Sequence, residues 1–435
     1  MLETRIRTVA ARRIWDSRGR PTIEAEVELE GGGAGRGIAP AGASRGSREA
    51  VDRRDGGVRL GGFDVGDALA GIREQIAPAL IGRDAADQAG IDALLIALDG
   101  TPTKARLGGN AIVAVSMAVL HAAAAQAGLP LWRYLAGDGA VSIPLPEIQI
   151  FGGGAHAGRR IDIQDLMVLT PAAGSFAEAL EMTAEVYRAA GRLMERRGRL
   201  QGVADEGGWW PAFDSNEEAL EALVQSIEAA GYVPGSEVAI SLDIAASELG
   251  RAGRYRLGLD AAELDSDGLC ELLLGWCDRF PILSMEDPLG EDDPGGLARF
   301  TAAAGPRIQV IGDDYLVTDA ERVRQASRDG AVNAVLVKVN QAGTVTEAKA
   351  ALDAGKAAGF GTVVSARSGE TEDVTIAHLA VGWNAGQLKV GSFARSERMA
   401  KWNEVLRIEE KVPGRFAGLS GYPASTRNHR IGEKP

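Results

Sequence analysis

Carboxylate side chains recur at the ends of short apolar segments in the second half of the chain. Residues 238–243, 282–286 and 308–313 each read as a buried strand, and they end in Asp243, Glu286 and Asp313. Hard divalent cations such as Mg²⁺ prefer oxygen ligands, so three converging carboxylates would suit such an ion. One acid at a strand end is equally well a helix cap or a surface charge. Three in succession favour a metal site.

Two lysines end further segments of the same kind. Residues 334–338 end in Lys338 and residues 386–389 end in Lys389, while residues 362–366 end in Ala366. A lysine beside a metal and a second cation loses its proton more easily, so it could act as a base. The alternative for either lysine is a structural ion pair with one of the acids.

A third kind of candidate lies in a tight turn. Glu206 belongs to the run Asp205-Glu-Gly-Gly208, and such a glycine-rich turn can aim a carboxyl group into a cleft. The alternative is a turn acid that faces water.

The spacing of these segments predicts the elements that position the charged groups. From Asp243 onward the strand ends recur at about one βα unit, roughly 25 residues, which is typical of a (β/α) barrel. The active site of such a barrel lies at the C-terminal ends of its strands. We therefore predict an α/β protein in which residues 139–422 form the barrel.

Residues 1–138 have a different pattern and predict a small α+β domain. Segments 5–12 and 22–29 alternate apolar and polar residues as strands do, and a glycine-rich stretch spans residues 31–46. Residues 110–128 predict a nearly all-apolar, buried helix. Residues 423–435 are predicted to be a polar tail.

Composition excludes several classes of protein. The 435 residues are 45% hydrophobic and 25% charged, as in ordinary globular proteins. The formal net charge of -13 argues against general binding to nucleic acid or to an anionic membrane. No apolar signal region follows Met1, and we expect no membrane-spanning segment, so a cytoplasmic location is predicted.

Two short motifs match the signatures of other enzyme classes but lack the surrounding elements that those signatures require. Gly42-Ala-Ser-Arg-Gly46 matches the G-x-S-x-G nucleophile elbow but lacks the flanking strand and helix. Gly152-Gly-Gly-Ala-His-Ala157 fits a loose dinucleotide fingerprint, but no obvious helix follows and no acid ends a second strand.

Longer strings give the chain a close resemblance to the enolase (phosphopyruvate hydratase) family over residues 5–418. They are Asp16-Ser-Arg-Gly19, Gly42-Ala-Ser44, Asp162-Ile-Gln164, Asp205-Glu-Gly-Gly208, Met285-Glu-Asp-Pro288, Lys338-Val-Asn-Gln341 and Arg367-Ser-Gly-Glu-Thr-Glu-Asp373. The resemblance implies a modified, mixed-strand TIM barrel that is capped by the N-terminal domain, with the glycine-rich loop mobile.

The resemblance also implies roles for individual residues. Asp243, Glu286 and Asp313 resemble the ligands of one Mg²⁺, and Ser44 resembles the residue that joins a second Mg²⁺ when the loop closes. Lys338 resembles the base, Lys389 the lysine that holds the substrate carboxylate, and Glu206 the acid that assists loss of the hydroxyl group. His156 and Gln164 match pocket residues, and Arg367 and Ser368 match the phosphate binders. The implied substrate is a small phosphorylated or phosphonylated carboxylate, and the implied assembly is a homodimer or larger.

Several positions depart from the family pattern, including Gly152 in place of the usual asparagine, and three of them bear on the substrate. Ala366 stands where enolases have a histidine that contacts phosphate, and Asp165 replaces the glutamate that pairs with the acid at Glu206. Arg45 adds a cation to the loop on the phosphate side. We expect these changes to make room for a bulkier anionic substrate.

These departures predict a specialised enzyme similar to carboxyphosphonoenolpyruvate synthase, which serves phosphonate and phosphinate biosynthesis. The first alternative is an ordinary phosphopyruvate hydratase that converts 2-phosphoglycerate to phosphoenolpyruvate and water. The second is a non-catalytic enolase-like binding protein, against which the retained lysines and carboxylates argue.

Overall fold

The N-terminal part of the chain is a small antiparallel sheet packed against helices. A computed structural model describes residues 3–423 and residue 426. The sheet has the order β1-β2-β3, with β1 at Ile6–Trp15, β2 at Pro21–Leu29 and β3 at Ala34–Ile38. The helices are α1 (Gly66–Gly71), α2 (Ala77–Leu80), α3 (Gln88–Asp99), α4 (Gly109–Gln126) and α5 (Leu131–Ala136), and a π-helical stretch, Ile72–Ile76, joins α1 to α2.

The glycine-rich stretch is partly a strand, which differs from its prediction as a loop. Gly35 and Gly37 lie in β3 directly against helix α4. A Cβ atom on Gly35 would lie 2.2 Å from the backbone nitrogen of Ala122, and one on Gly37 would lie 2.5 Å from the backbone oxygen of Ala114. Glycine is therefore required there because the helix backbone comes so close. The loop proper begins after Ile38.

Helix α4 is the apolar helix expected from the sequence. It is long and apolar enough, by length and composition alone, to cross a membrane. However, 83% of this window is buried inside the structure, where it packs on β2 and β3. A core helix rich in alanine and valine passes the same composition test as a membrane span.

The C-terminal part is a closed eight-stranded barrel, which confirms the predicted fold class. In chain order its first strands are β4 (Leu145–Gly152), β5 (Asp165–Leu169) and β6 (Ala239–Asp243). A separate sheet of β7 (Gly250–Arg251), β8 (Arg254–Leu257) and β9 (Ala262–Asp265) follows. The barrel continues with β10 (Ile282–Glu286), β11 (Gln309–Gly312), β12 (Ala334–Val337), β13 (Gly361–Ser365) and β14 (Gly386–Gly391).

Strand β5 runs antiparallel to both β4 and β6, whereas the other neighbouring strands are parallel. The barrel is therefore mixed, as the resemblance implied. The regular spacing predicted six strands, which are β6 and β10 to β14. It did not predict β4 and β5. These two precede the regular βα spacing and are joined by a short 3-10 helix, Gly154–Ala157, in place of an α-helix, so spacing alone did not reveal them.

The helices of the barrel domain lie outside the strands. They are α6 (Phe176–Arg196), α7 (Asn216–Ala229), α8 (Ser266–Arg279), α9 (Pro294–Ala304), α10 (Ala320–Asp329), α11 (Val339–Ala342), α12 (Val345–Ala357), α13 (Thr375–Gly382) and α14 (Ser396–Glu409). Tyr422 is 1% exposed and packs with Leu145 and Leu283. Of the predicted tail, Pro423 and residue 426 are described, and the rest lies outside the described residues.

Candidate active site

Three carboxylates stand side by side at the C-terminal mouth of the barrel. Asp243 ends β6, Glu286 ends β10, and the two are partners in the strand register. Asp165 is the register partner of Asp243 on its other side. Because β5 is antiparallel, its first residue, and not its last, lies at this mouth. The strand direction thus explains why an acid that begins a strand joins acids that end strands.

Lys389 is the common partner of these acids. Its Nζ lies 2.7 Å from Glu286 Oε2, 2.9 Å from Asp243 Oδ2 and 3.5 Å from Asp165 Oδ2. Burial would lower the pKa of Lys389, but Asp243 and Glu286 raise it well above its ordinary value. Lys389 is therefore a buried ammonium group, which suits the binding of an anion.

Lys338 is paired with Asp313 on the opposite side of the mouth. Lys338 Nζ donates to Asp313 Oδ2, and both side chains are largely buried. Burial and the nearby Arg367 lower the pKa of Lys338, as we expected of a neighbouring cation, but Asp313 outweighs them and the net direction is upward. The prediction that Lys338 loses its proton easily presupposes a metal ion beside it, and it stays a prediction.

The oxygen-rich mouth fits a hard divalent cation. Glu286 Oε1 and Gln164 Oε1 are buried, and neither has a hydrogen-bond partner in the described part of the chain. Burial and the neighbouring Asp243 raise the pKa of Glu286 well above its ordinary value, and the ammonium group of Lys389 on Oε2 offsets this only in part. Carboxylate and amide oxygens are ligands that Mg²⁺ accepts.

Ligand atoms already lie close together in two groups of described residues. One group is His156, Asp165 and Glu206, and the other is Asp287, Asp313 and Asp314, each with its ligand atoms within 4.8 Å of one another. Neither is the predicted trio of Asp243, Glu286 and Asp313. Each carboxylate of that trio already accepts a hydrogen bond from a lysine. Lys389 donates to Asp243 and Glu286, and Lys338 donates to Asp313.

A buried histidine joins two acids on the remaining wall. His156 Nε2 lies 3.2 Å from Asp165 Oδ1, and its Nδ1 lies 3.5 Å from Glu206 Oε1. Burial would lower the pKa of His156, but Glu206 and Asp165 outweigh it and raise it to about 9. His156 is therefore an imidazolium at neutral pH. Conversely, His156 and Lys389 hold the pKa of Asp165 below its ordinary value despite burial.

The glycine-rich loop is tied to the barrel by several polar contacts. Ala43 N donates to Ser368 Oγ at 2.7 Å, and the Arg367 guanidinium donates to the backbone oxygen of Ser44 at 3.0 Å. The same guanidinium pairs with Glu49 Oε2 at 2.8 Å. Ser44 Oγ donates to Glu248 Oε1 at 3.3 Å. The predicted phosphate binders thus hold the loop in the structure.

The cavity at the barrel mouth collects most of the predicted site residues. Its lining includes Ser44, His156, Gln164, Asp165, Glu206, Asp243, Asp313, Lys338, Ala366, Arg367, Ser368 and Lys389. Its volume is about 30 Å³, so the expected space for a bulky substrate beside Ala366 is absent from this conformation. Arg45 is exposed and does not line the cavity, which corrects its expected position.

Several residues that contact the site were not recognised as candidates from the sequence. Gln149 donates to Asp165 and accepts from Gly208 N at 2.8 Å, and Gln341 donates to Asp313 Oδ1 at 2.7 Å. Glu147 is fully buried in β4 and is the register partner of Lys389. Gln341 ends the string Lys338-Val-Asn-Gln341, one of those that resemble enolases, so this string could have marked it as a site residue. For Glu147 and Gln149 the only signal was that they are two positions apart, which places both on one face of a strand.

Comparison with known proteins assigns both parts of the chain. Residues 6–135 match the family described as enolase, N-terminal domain, and residues 140–424 match enolase, C-terminal TIM barrel domain. A relative named Enolase 1, from Desulfitobacterium hafniense (strain Y51), is 49% identical over 411 residues, which are 94% of this chain and 94% of the relative.

Proposed function

The chain belongs to the enolase family and is a lyase, and from that premise we propose that it interconverts 2-phosphoglycerate with phosphoenolpyruvate and water. The observation that carries the proposal is the placement of Lys338, Lys389 and Glu206 around one cavity at the barrel mouth. Lys389 is an ammonium group suited to the substrate carboxylate. Lys338 and Glu206 supply a base and an acid to the same cavity.

Proton removal is the difficult step of this reaction. The proton beside a carboxylate is weakly acidic, and its loss leaves a dianionic enediolate whose charge must be stabilised as it develops. Lys338 in its neutral form accepts this proton, and Lys389 holds the carboxylate on which the charge accumulates. A lysine or histidine base with one or two Mg²⁺ ions is the established pattern of enolase-superfamily sites.

Departure of the hydroxyl group needs a proton donor on the other face of the cavity. Glu206 delivers that proton, and His156, 3.5 Å from Glu206 Oε1, orients it together with Asp165. Arg367 and Ser368 bind the phosphate, and Gln164 and Ser44 complete the pocket. Asp165 is one methylene shorter than the family's glutamate, so His156 carries more of the positioning.

Carboxylates at the strand ends would hold the metal. Asp243, Glu286 and Asp313 would bind one Mg²⁺, and Ser44 on the loop would contribute to a second. When bound, Mg²⁺ supplies positive charge that stabilises the enediolate oxygens. Lys389 and Lys338 then keep fewer carboxylate partners, which favours contact with substrate.

A direct assay tests the proposal. The purified protein is mixed with Mg²⁺ and 2-phosphoglycerate, and the ultraviolet absorbance of the enol product is followed. We expect turnover, and we expect Lys338→Ala to lower kcat by at least the 10²–10⁴-fold that a general base typically contributes. Lys349→Ala is the matched control, because Lys349 is an exposed lysine that pairs with Asp353. No turnover by the wild-type protein with Mg²⁺ bound would overturn the proposal.

The specialised synthase reading has less support than ordinary phosphopyruvate hydratase activity. The relative at 49% identity is named Enolase 1, Arg45 lies outside the cavity, and the space at Ala366 is small. Ala366→His should leave turnover of 2-phosphoglycerate unchanged or raise it. Turnover of nucleotide-activated phosphonoformate without turnover of 2-phosphoglycerate would reverse this preference.

Enolase-family proteins are generally oligomeric, and we propose a homodimer or larger assembly in the cytoplasm, with no nucleic-acid or membrane partner. A non-catalytic binding protein is the last alternative. It would require that Mg²⁺ give no thermal stabilisation, whereas a bound ion stabilises the folded state by mass action.

A further inference from the structure

Gln341 lies three residues after the proposed base and is 2% exposed, in the short helix α11. We propose that Gln341 is a positioning residue that fixes the orientation of Asp313 and Lys338 and links both to the glycine-rich loop. The inference rests on the proposed function for its kinetic test, but its structural test is independent of activity. Three sets of contacts carry it.

The first contact orients the Asp313 carboxylate. Gln341 Nε2 donates to Asp313 Oδ1 at 2.7 Å, while Lys338 Nζ donates to the other oxygen, Oδ2. Each carboxylate oxygen therefore has its own donor, and the plane of the group is defined from both sides. Without the amide, the carboxylate could rotate away from the lysine.

The second contact closes a ring through Thr318. Thr318 Oγ1 accepts from the backbone N–H of Lys338 at 3.0 Å and donates to Gln341 Oε1 at 2.6 Å. This hydroxyl donor assigns the amide oxygen, and consequently the amide nitrogen faces Asp313. Lys338, Asp313, Gln341 and Thr318 thus form one closed circuit around the proposed base.

Backbone strain at Thr318 marks the circuit as a constrained site. Val317 and Thr318 have φ values of +45° and +54°. β-branched residues rarely adopt this left-handed region, so the surrounding contacts must hold them there. The hydrogen bonds of Thr318 to Lys338 and Gln341 supply that restraint.

The third contact reaches the glycine-rich loop. Gln341 Nε2 also lies 3.3 Å from Glu49 Oε1, and the backbone oxygen of Gln341 accepts from Ala50 N at 2.8 Å. Glu49 in turn pairs with Arg367, whose guanidinium binds the backbone of Ser44. Gln341 therefore contacts the loop that carries Ser44 and, through Asp313, the proposed base Lys338.

Replacing the amide tests the proposal. Gln341→Leu removes the three side-chain hydrogen bonds with Asp313, Glu49 and Thr318, and Gln341→Glu keeps the shape but puts a carboxylate against Asp313 and Glu49. We expect kcat for 2-phosphoglycerate to fall by about 10²-fold in both, the scale of an approximately 1 Å misplacement, with a smaller change in KM. We also expect backbone hydrogen exchange over residues 43–50 to become at least several-fold faster.

Gln387→Leu is the matched control. Gln387 is a fully buried glutamine that exchanges two hydrogen bonds with Gln309 inside the barrel, at 2.9 and 2.8 Å. Within the described part of the chain its side chain makes no hydrogen bond to Lys338, Asp313, Gln341 or Thr318. The Gln387→Leu substitution should lower the free energy of unfolding, but backbone hydrogen exchange in residues 43–50 should not become faster. An equal loss of kcat and an equal loop effect in this control would overturn the proposal, because the effect would then be one of general destabilisation.

Thr318 variants give a second, milder test. Thr318→Val removes the hydroxyl group and should lower kcat, whereas Thr318→Ser keeps it and should restore most of kcat. Unchanged kcat in Gln341→Leu and Thr318→Val, with unchanged loop exchange, would overturn the inference. If the wild-type protein fails to turn over 2-phosphoglycerate, the proposed function fails, and the exchange experiment alone decides the role of Gln341.

Discussion

At the scale of single residues, the barrel mouth balances buried charges against one another. Lys389 and Lys338 are paired with acids, which is the arrangement that makes buried charge tolerable. Glu147 is different. Its Oε1 accepts from Ser241, but its Oε2 is buried and has no hydrogen-bond partner among the described residues. Burial raises the pKa of Glu147 above its ordinary value, and Lys389 offsets this only in part.

Glu147→Gln should stabilise the protein increasingly as the pH rises. An acid whose pKa is higher in the folded than in the unfolded state binds more protons when folded, so stability falls as pH increases from the unfolded pKa of about 4.3. A glutamine at position 147 does not ionise, so the variant does not lose stability in this way. We expect the difference in free energy of unfolding, variant minus wild type, to grow between pH 5 and pH 8 in urea titrations of the metal-free protein.

The exposed Glu195 offers a control for this experiment. Glu195→Gln should give a difference that is small and nearly independent of pH. A Glu147→Gln variant that becomes relatively less stable at high pH would mean that Glu147 is an ionised partner of Lys389.

At the scale of elements, local sequence signals begin the long helices. Ser175 Oγ accepts from Glu178 N at 3.0 Å at the start of α6, and Glu178 Oε2 accepts from Gly174 N at 2.7 Å. Such reciprocal contacts satisfy N–H groups that the helix itself leaves without partners. Ser215 and Glu218 repeat the arrangement at α7. These helices therefore begin where the sequence dictates.

Ser175→Ala should lower the free energy of unfolding by about 1 kcal/mol, the usual cost of losing an N-terminal cap. Urea denaturation measures this change. Ser327→Ala, at an exposed position inside α10, should leave stability unchanged or slightly higher, because alanine favours the helix interior. Equal effects of the two substitutions would contradict the capping role.

At the scale of the whole molecule, buried polar contacts join the N-terminal domain to the barrel. Asp92 of α3 is fully buried and accepts from Thr346 N at 2.9 Å and from Thr346 Oγ1 at 2.6 Å, at the start of α12. It also accepts from Ser116 Oγ at 2.7 Å within its own domain. The two domains are thus fixed relative to each other by groups that cannot be left without partners.

Asp92→Ala should lower the free energy of unfolding by about 3 kcal/mol, since several buried donors would lose their acceptor. Asp353→Ala, at an exposed ion pair on α12, should change it by less than about 1 kcal/mol. Thermal or urea unfolding of the two variants compares them. A Asp92→Ala variant as stable as Asp353→Ala would show that the domain contact tolerates the loss.

Part of the site was predictable because its residues follow recognisable segments. Asp243, Glu286, Asp313, Lys338 and Lys389 all lie at the barrel mouth, where the strand spacing predicts them. Their roles stay predictions. Strand β3 was missed, because glycines that allow close helix packing look the same in a sequence as glycines that make a loop flexible.

The sequence by itself determined which side chains end the strands and where capped helices begin, since these depend on residues that are near neighbours in the chain. Only the tertiary structure decided that antiparallel β5 brings Asp165 beside Asp243, that Arg45 does not line the cavity, and that Gln341 links Asp313 to the loop. Those relations arise when the barrel closes and the N-terminal domain packs on it. They join residues far apart in the chain, which no local pattern specifies.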